Sequence, residues 1–356
     1  MRDKPVLAVK GVRVPFAWVT LCAGLSGGAL FQWIGLPMPW LLGSIIGSAA
    51  SAMIGLPADL PRWLRDSVLV ILGLMIGSSI HQSTLALISR WPITMAAVVV
   101  YVVLCTAGMY VVLRRFAGFD PVTAYFSAAP GGFIAMTVMG GAFGGRERSI
   151  ALTHAVRIVL VIFSVVLSYH LLLGGRVTSH GAPVSAALMP IQWGALIAIG
   201  ATGWLLGRLV RLPSSAMLGP MLLMGAVQLA GFHPPAMPRM PLLVAEWVLG
   251  SGIGADFAGA SLREVGQSVA ISLVGTAAMM VLSLVFSLVL EPLTGIPIET
   301  LFLALSPGGL SGISLIALAL GIEPAFVTAH NVLRILLILL AGPLVFRLMG
   351  RASADR

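Results

Sequence analysis

The chain has 356 residues, of which 58% are hydrophobic and 9% charged, and its mean hydropathy is +1.03. A soluble domain carries about a quarter charged residues, so soluble enzymes and soluble binding modules are excluded. The net charge of +9 is scattered as single and paired Lys and Arg without interleaved aromatics, which fits the arginine bias of cytoplasmic loops and excludes a nucleic-acid surface.

A basic N-terminus (Arg2, Lys4, Lys10, Arg13) leads into an apolar run at 16–35 that no small-x-small cleavage pattern closes. The run is expected to be a retained first helix, not a cleaved signal. Further apolar segments follow at 38–55, 66–82, 92–114, 121–143 and 149–173. A polar, Gly/Ser-rich joint at 176–189 leads to a second set at 190–207, 213–231, 242–258, 268–290, 300–320 and 326–348. Stop signals separate the segments at 55–61, 232–238 and 291–297. Cys22 and Cys105 lie far apart inside apolar runs and predict neither a disulfide nor a metal site. Trp18, Trp33, Trp40, Trp63, Trp91, Trp193 and Trp247 flank segment ends, as interface anchors do.

The two sets read as two copies of one unit. "PMPWLLGSIIG" at 37–47 resembles "PSSAMLGPMLL" at 213–223, and "ILGLMIGSSI" at 71–80 resembles "VLGSGIGADF" at 248–257. "AAPGGFIAMT" at 128–137 resembles "LSPGGLSGIS" at 305–314. "THAVRIVLVI" at 153–162 resembles "HNVLRILLIL" at 330–339, which pairs Arg157 with Arg334. The offset is 176 at the first pair and 177 at the others. The predicted organisation is an N-tail at 1–14, a membrane repeat at 15–175, a linker at 176–189, a second repeat at 190–350 and a C-tail at 351–356.

The fifth segment of each repeat carries a Pro-Gly-Gly. Proline removes a backbone donor and two glycines remove helix propensity, so a break is expected there. The glycine pairs four apart at 24/28, 43/47, 73/77, 250/254 and 308/312 are expected mainly to let helices approach closely. If all six segments of each repeat span, cytoplasmic loops hold 13 Lys/Arg and external loops 6. If the Pro-Gly-Gly segments are re-entrant, five arginines move in and two move out, and the split becomes 16 to 3. The second arrangement obeys the positive-inside bias better. The expected fold is therefore an all-α polytopic membrane protein of two homologous, inverted repeats. Each has about five spans plus one re-entrant, broken Pro-Gly-Gly segment, and both termini are cytoplasmic.

Non-helical backbone at membrane depth survives where it is buried in protein or lines a wet cavity. Paired breaks in inverted halves point to a transporter site. The candidate substrate-binding residues are Pro130, Gly131, Gly132, Thr137, Arg157, Pro307, Gly308, Gly309, Ser311, Ser314, Asn331 and Arg334. Arg157 and Arg334 lie about nine residues into their segments, roughly 13 Å at 1.5 Å per residue. An arginine at that depth faces the bundle interior or a cavity. Beside half-helix N-termini the two would make an anion-favouring centre. The alternative is structural, with each guanidinium satisfying carbonyls freed by its break. Asp256 is the candidate for ion coupling, with Glu246 the other carboxylate at membrane level.

The duplicated unit, with "APGGF" and "SPGGL" each followed by an apolar run carrying an arginine, resembles the AbrB-type membrane protein family and its AbrB duplication over about 15–350. The family carries the provisional labels ammonia monooxygenase and transition-state regulator. The resemblance implies kinship with inverted-repeat secondary transporters of the cation/proton antiporter and anion transporter group, which use discontinuous helices at a midplane site. The residues argue against an oxygenase. His81, His154, His170, His180, His233 and His330 form no close ligand pair, although His154 and His330 begin matching helices. No nucleophile–base pair is legible, so neither catalysis, a metal nor a cofactor is expected. The expected protein is a secondary transporter of a small, anionic solute in the inner membrane. A membrane sensor that acts on gene expression indirectly is the alternative. The expected partners are the bilayer and the solute, without nucleic acid, and self-association is left open.

Overall fold

A computed structural model describes residues 6–9, 12–80, 88–172, 189–232, 234–235 and 237–354. The linker at 176–188, with Arg176 and His180, and also His81 and His233, lies outside the described residues. A short antiparallel hairpin, β1 (Val6–Val9) with β2 (Val12–Pro15), precedes the first helix. It is a departure from the all-α expectation, at a place where valines crowd the tail and favour extended backbone.

The remaining regular structure described is helical. The first half holds α1 (Phe16–Ile34), α2 (Pro39–Met53), α3 (Arg62–Ser78), α4 (Trp91–Phe116), α5 (Pro121–Ala128), α6 (Phe133–Ala142) and α7 (Glu147–Leu172). The second holds α8 (Pro190–Leu209), α9 (Ser215–Leu229), α10 (Arg239–Ala255), α11 (Leu262–Thr294), α12 (Ile298–Leu305), α13 (Leu310–Leu320) and α14 (Pro324–Ala354). Both Pro-Gly-Gly segments are broken, between α5 and α6 and between α12 and α13. Among the described residues, five helices are long and apolar enough to cross a membrane: α1, α4, α7, α11 and α14. By contrast α2 and α9 have 15 residues and α3 and α10 have 17. At 1.5 Å per residue these are roughly 23–26 Å long, short of a hydrocarbon core of about 30 Å.

One stop signal and one tryptophan differ from the sequence expectation. The stop signal at 291–297 does not end α11 at Glu291, since the helix runs through Pro292 to Thr294. Proline there loses one bond near the helix end, and Gly295, left-handed at φ 64°, closes the helix by donating to the Glu291 carbonyl at 2.7 Å. Arg90 Nη1 donates to the Thr294 carbonyl at 2.8 Å. Trp247 is not an end anchor: it lies within α10 and donates Nε1–H to the Leu21 carbonyl at 3.0 Å. Trp18, Trp33, Trp63 and Trp193 are exposed, as anchors should be.

The chain divides into two compact units. One comprises residues 1–86, 166–261 and 314–325 and is built on α1, α2, α3, α8, α9 and α10. Its helices pack through glycine. Gly27 and Gly43 touch so closely that a Cβ on either would strike the other's carbonyl, and Gly203 meets Gly219 and Pro220 in the same way. Gly250 and Gly254 of α10 lie on the carbonyls of Leu41 and Ile45 in α2, while Gly73 and Gly77 of α3 lie on those of Met217 and Met221 in α9. The pairs are related by the sequence offset of 176–177. With small residues at the contact, backbones approach and dispersion replaces the hydrophobic force that lipid does not supply.

The other unit comprises residues 87–165, 262–313 and 326–356, and it carries both Pro-Gly-Gly breaks. Tyr101 of α4 hydrogen-bonds Ser283 of α11 at 2.9 Å, and Trp91 packs edge-on against Phe326 with ring centroids 5.7 Å apart. Within it, α5 and α6 double back on each other. The rings of Phe126 and Phe143 stack at 5.8 Å, and the Arg146 amide donates to Thr123 Oγ1 at 2.9 Å. The two ends of the segment 121–143 therefore lie close together. Left-handed backbone recurs at the same offsets, pairing Met38 with Ser214, Gly118 with Gly295, Gly132 with Gly309 and Gly144 with Gly321.

Candidate functional site

Each break begins with its proline. The residue before a proline is pushed out of the α region, and both Ala129 (φ −57°, ψ 125°) and Ser306 (φ −63°, ψ 129°) are extended. A tight turn follows: the Gly131 amide donates to the Ala129 carbonyl at 3.0 Å, and Gly308 to Ser306 at 3.0 Å. The chain then needs positive φ to start a new helix, and Gly132 (φ 66°) and Gly309 (φ 84°) supply it without a Cβ penalty.

Breaking a helix leaves its last carbonyls without donors. In the first half α7 provides them. Arg157 Nη1 donates to the carbonyls of Ser127 at 3.2 Å and Ala128 at 3.4 Å, and Nη2 donates to Ala129 at 2.8 Å. His154, one turn earlier on α7, lies with Nε2 2.9 Å from the Phe126 carbonyl and Nδ1 2.7 Å from Arg157 Nη2. Guanidinium can only donate, so Nδ1 accepts and His154 is the neutral tautomer with its proton on Nε2. Carbonyls 126–129 are thus satisfied by two side chains of one helix. In the second half α14 does the same. Arg334 Nη1 donates to Leu305 at 3.2 Å and Ser306 at 2.9 Å, and Nη2 donates to Asn331 Oδ1. Asn331 Nδ2 in turn donates to the Val327 carbonyl at 2.8 Å.

The arginines therefore sit at half-helix C-termini, donating to the carbonyls freed by each break as the structural alternative has it, and not beside the half-helix N-termini. Cations belong at that end of the dipole, and the carbonyls freed by proline draw them there. The two breaks do come together in this unit. Gly131 faces Arg334, Ile335 and Ile338 of α14, and Gly308 and Gly309 face Val161 and Ile158 of α7.

The charge balance is uneven. Arg157 and Arg334 are each 1% exposed, and among the described residues neither has a carboxylate partner. The C-termini of α5 and α12 offset about half a charge each, but the N-termini of α6 and α13 add about as much back. Roughly two positive charges are left over. Arg157 Nε, Arg334 Nε and Ser127 Oγ are buried without a hydrogen-bond partner. An arrangement of buried donors and excess positive charge is suited to an anion.

Other candidates are placed elsewhere. Thr137 turns its hydroxyl back to the Phe133 carbonyl at 2.9 Å, and Ser311 is half-buried on α13. Ser314 and Asp256 belong to the first unit. Asp256 closes the end of α10 and pairs with Arg65 at 3.6 Å, and Glu246 of α10 is buried with Oε1 unpartnered. The two histidines near the starts of the matching helices α7 and α14 do not share one arrangement. His330 bonds the Phe326 carbonyl at 2.8 Å and Thr94 at 2.7 Å, and the counterpart of His154 is Asn331. Among the described residues no three His, Cys, Asp or Glu side chains gather as a metal-binding group. At the mouth of the α5–α6 hairpin, Asp120 caps α5, accepting from the Thr123 amide at 2.8 Å and its hydroxyl at 2.6 Å, with Arg146 at 3.5 Å. Burial pushes the Asp120 carboxyl up, but those hydrogen bonds and Arg146 outweigh it and hold it below its ordinary 3.8.

Sequence reasoning missed His154 as the partner of Arg157. The signal was present, since a side chain able to accept a hydrogen bond stands three residues before each arginine, at His154 and Asn331.

Membrane-length helices, with two more helices interrupted at Pro-Gly-Gly and closed by buried arginines, define a polytopic α-helical membrane protein with discontinuous helices. Within that class, residues 40–350 match the family described as transition state regulatory protein AbrB, and the chain belongs to that family. It is 29% identical over 347 residues to an Escherichia coli (strain K12) protein provisionally named regulator AbrB, covering 95% of this chain and 98% of that one. It is 24% identical over 356 residues to the uncharacterised protein YhjN of Bacillus subtilis (strain 168), covering 93% and 92%.

Proposed function

We propose that the chain is a secondary transporter of a small anionic solute, working in the inner membrane by alternating access. The observation that carries this is the pair of buried guanidinium groups, each without a carboxylate and each keeping an unpartnered Nε beside a helix break. Ions without a counter-ion are costly in a membrane, and a mobile anion relieves the cost while it is bound. The reading includes two homologous inverted repeats. Its support is the sequence match at 176–177, the recurring left-handed residues and glycine contacts, and the arginine bias of 16 to 3. The α5–α6 hairpin, whose two ends meet at Thr123 and Arg146, supports the re-entrant form of the first copy. The reading includes no catalytic step or cofactor, and both termini cytoplasmic. Any regulatory effect is indirect, through the level of the solute.

Counterflow into proteoliposomes of purified full chain tests transport, with labelled small anions and cations offered in turn. Saturable exchange of an anion supports the reading. Exchange of cations alone, or of nothing, overturns it.

A further inference from the structure

A cavity lies in the unit that holds both breaks. It measures about 370 Å³ and is lined by α4 (Val102, Val103, Thr106 and Tyr110 among others), by Tyr125 and Ala129 at the end of α5, and by α14 (Leu337, Ile338). The lining is almost wholly apolar. Val99 and Val103 of its lining are 42% and 61% exposed near mid-length of α4, so the cavity reaches the exterior of this unit along that helix. Its inner end is different. Ala129 accepts the Arg157 hydrogen bond, and Ile338 stands 3.3 Å from the Cβ position of Gly131, with Arg334 Nε 3.9 Å from the same point. An apolar hole therefore ends beside two buried cations that keep unused donors.

We infer that the solute is an amphipathic monoanion, a carboxylate or sulfonate on an apolar body. Its charged end lies at the Pro130–Gly132 turn and its apolar body lies in the α4/α14 cavity. The inference rests on the proposed transport function and narrows its substrate. A small hydrophilic anion such as phosphate or citrate would leave this cavity empty or would have to desolvate against it, which is unfavourable. An apolar body gains about 25 cal/mol per Å² of surface removed from water. Size also fits, because ligand pockets occupy about 300–1,000 Å³. The acyl chain of a membrane phospholipid shares the chemistry and is the competing occupant.

The test uses labelled benzenesulfonate, which stays ionised and so does not leak across as a neutral acid, against labelled phosphate and citrate in proteoliposomes. We expect saturable benzenesulfonate counterflow at least tenfold faster than that of phosphate or citrate. Ala107→Trp, which fills the cavity from its exposed side, should lower that rate at least tenfold. Val103→Ala, which widens it, should improve competition by bulkier sulfonates, while Val100→Trp, equal bulk on an exposed position of α4 outside the lining, should keep the rate, so a folding defect in one variant does not decide the matter. Phosphate or citrate exchange that matches or exceeds benzenesulfonate, with no effect of Ala107→Trp, overturns the inference and leaves the transporter reading standing. A co-purifying phospholipid displaced by Ala107→Trp with exchange unchanged assigns the cavity to lipid and likewise overturns it. Absence of exchange for every anion overturns the transporter reading itself.

Discussion

Arg157 Nη2 lies 2.8 Å from the carbonyl of Ala129, the residue that Pro130 forces out of helical geometry. One side chain thus replaces several amide donors lost at the break. A planar fork can reach the adjacent carbonyls of 127, 128 and 129, whereas an ammonium is a single point. Each buried acceptor left unmade costs about 1–3 kcal/mol. Arg157→Met should therefore lower the thermal midpoint strongly, and Arg157→Lys should recover only part of the loss. His154→Asn, which copies the second half, should be milder than His154→Leu. Thermal unfolding in detergent or nanodiscs ranks the four; equal midpoints for Met and wild type would remove the structural role.

The glycine contacts give a sharp contrast. An added Cβ at Gly43 would strike the Gly27 carbonyl, while Gly108 and Gly194, also helical, have nothing within 4 Å. Gly43→Ala should destabilise or unfold the first unit. Gly108→Ala and Gly194→Ala should be neutral or stabilise by up to about 1 kcal/mol from helix propensity. Chemical denaturation of the three variants checks this.

Asp120 is expected to make the α5 cap depend on pH. Its carboxyl is held below 3.8 in the folded state, so its contribution is present above the unfolded value and fades as pH falls through the lowered native one. Protection of the Thr123 amide, its exchange rate relative to the unfolded amide at the same pH, should be high at neutral pH and fall as the pH drops below the ordinary carboxylate value. Asp120→Ala should remove this dependence and cost about 1 kcal/mol of local stability; exchange unchanged in the variant would refute the cap.

Much of this was legible in the sequence. Apolar runs and stop signals located most helix ends within about a turn, because burial in lipid demands continuous apolar length, although α11 starts at Leu262, ahead of its run at 268, and α14 continues to Ala354, past its run at 348. Pro130 and Pro307 announced the breaks, since proline's effect on backbone is local. What was illegible depends on tertiary placement. That Trp247 spends its donor on Leu21 and that α11 passes Pro292 both follow from which partners the fold brings near. The shortness of α2, α3, α9 and α10 was hidden as well, because their apolar runs continue into the turns.

The central claim is that Arg157 and Arg334 form an anion site as well as closing helix ends. Glutamine keeps a donor for one carbonyl but removes the charge. Counterflow of the transported anion, compared among wild type, Arg157→Gln and Arg334→Gln at a temperature where all three stay folded, separates the two roles. Each variant should lose at least tenfold in rate; transport at the wild-type rate in both would show that the two arginines do not bind the anion.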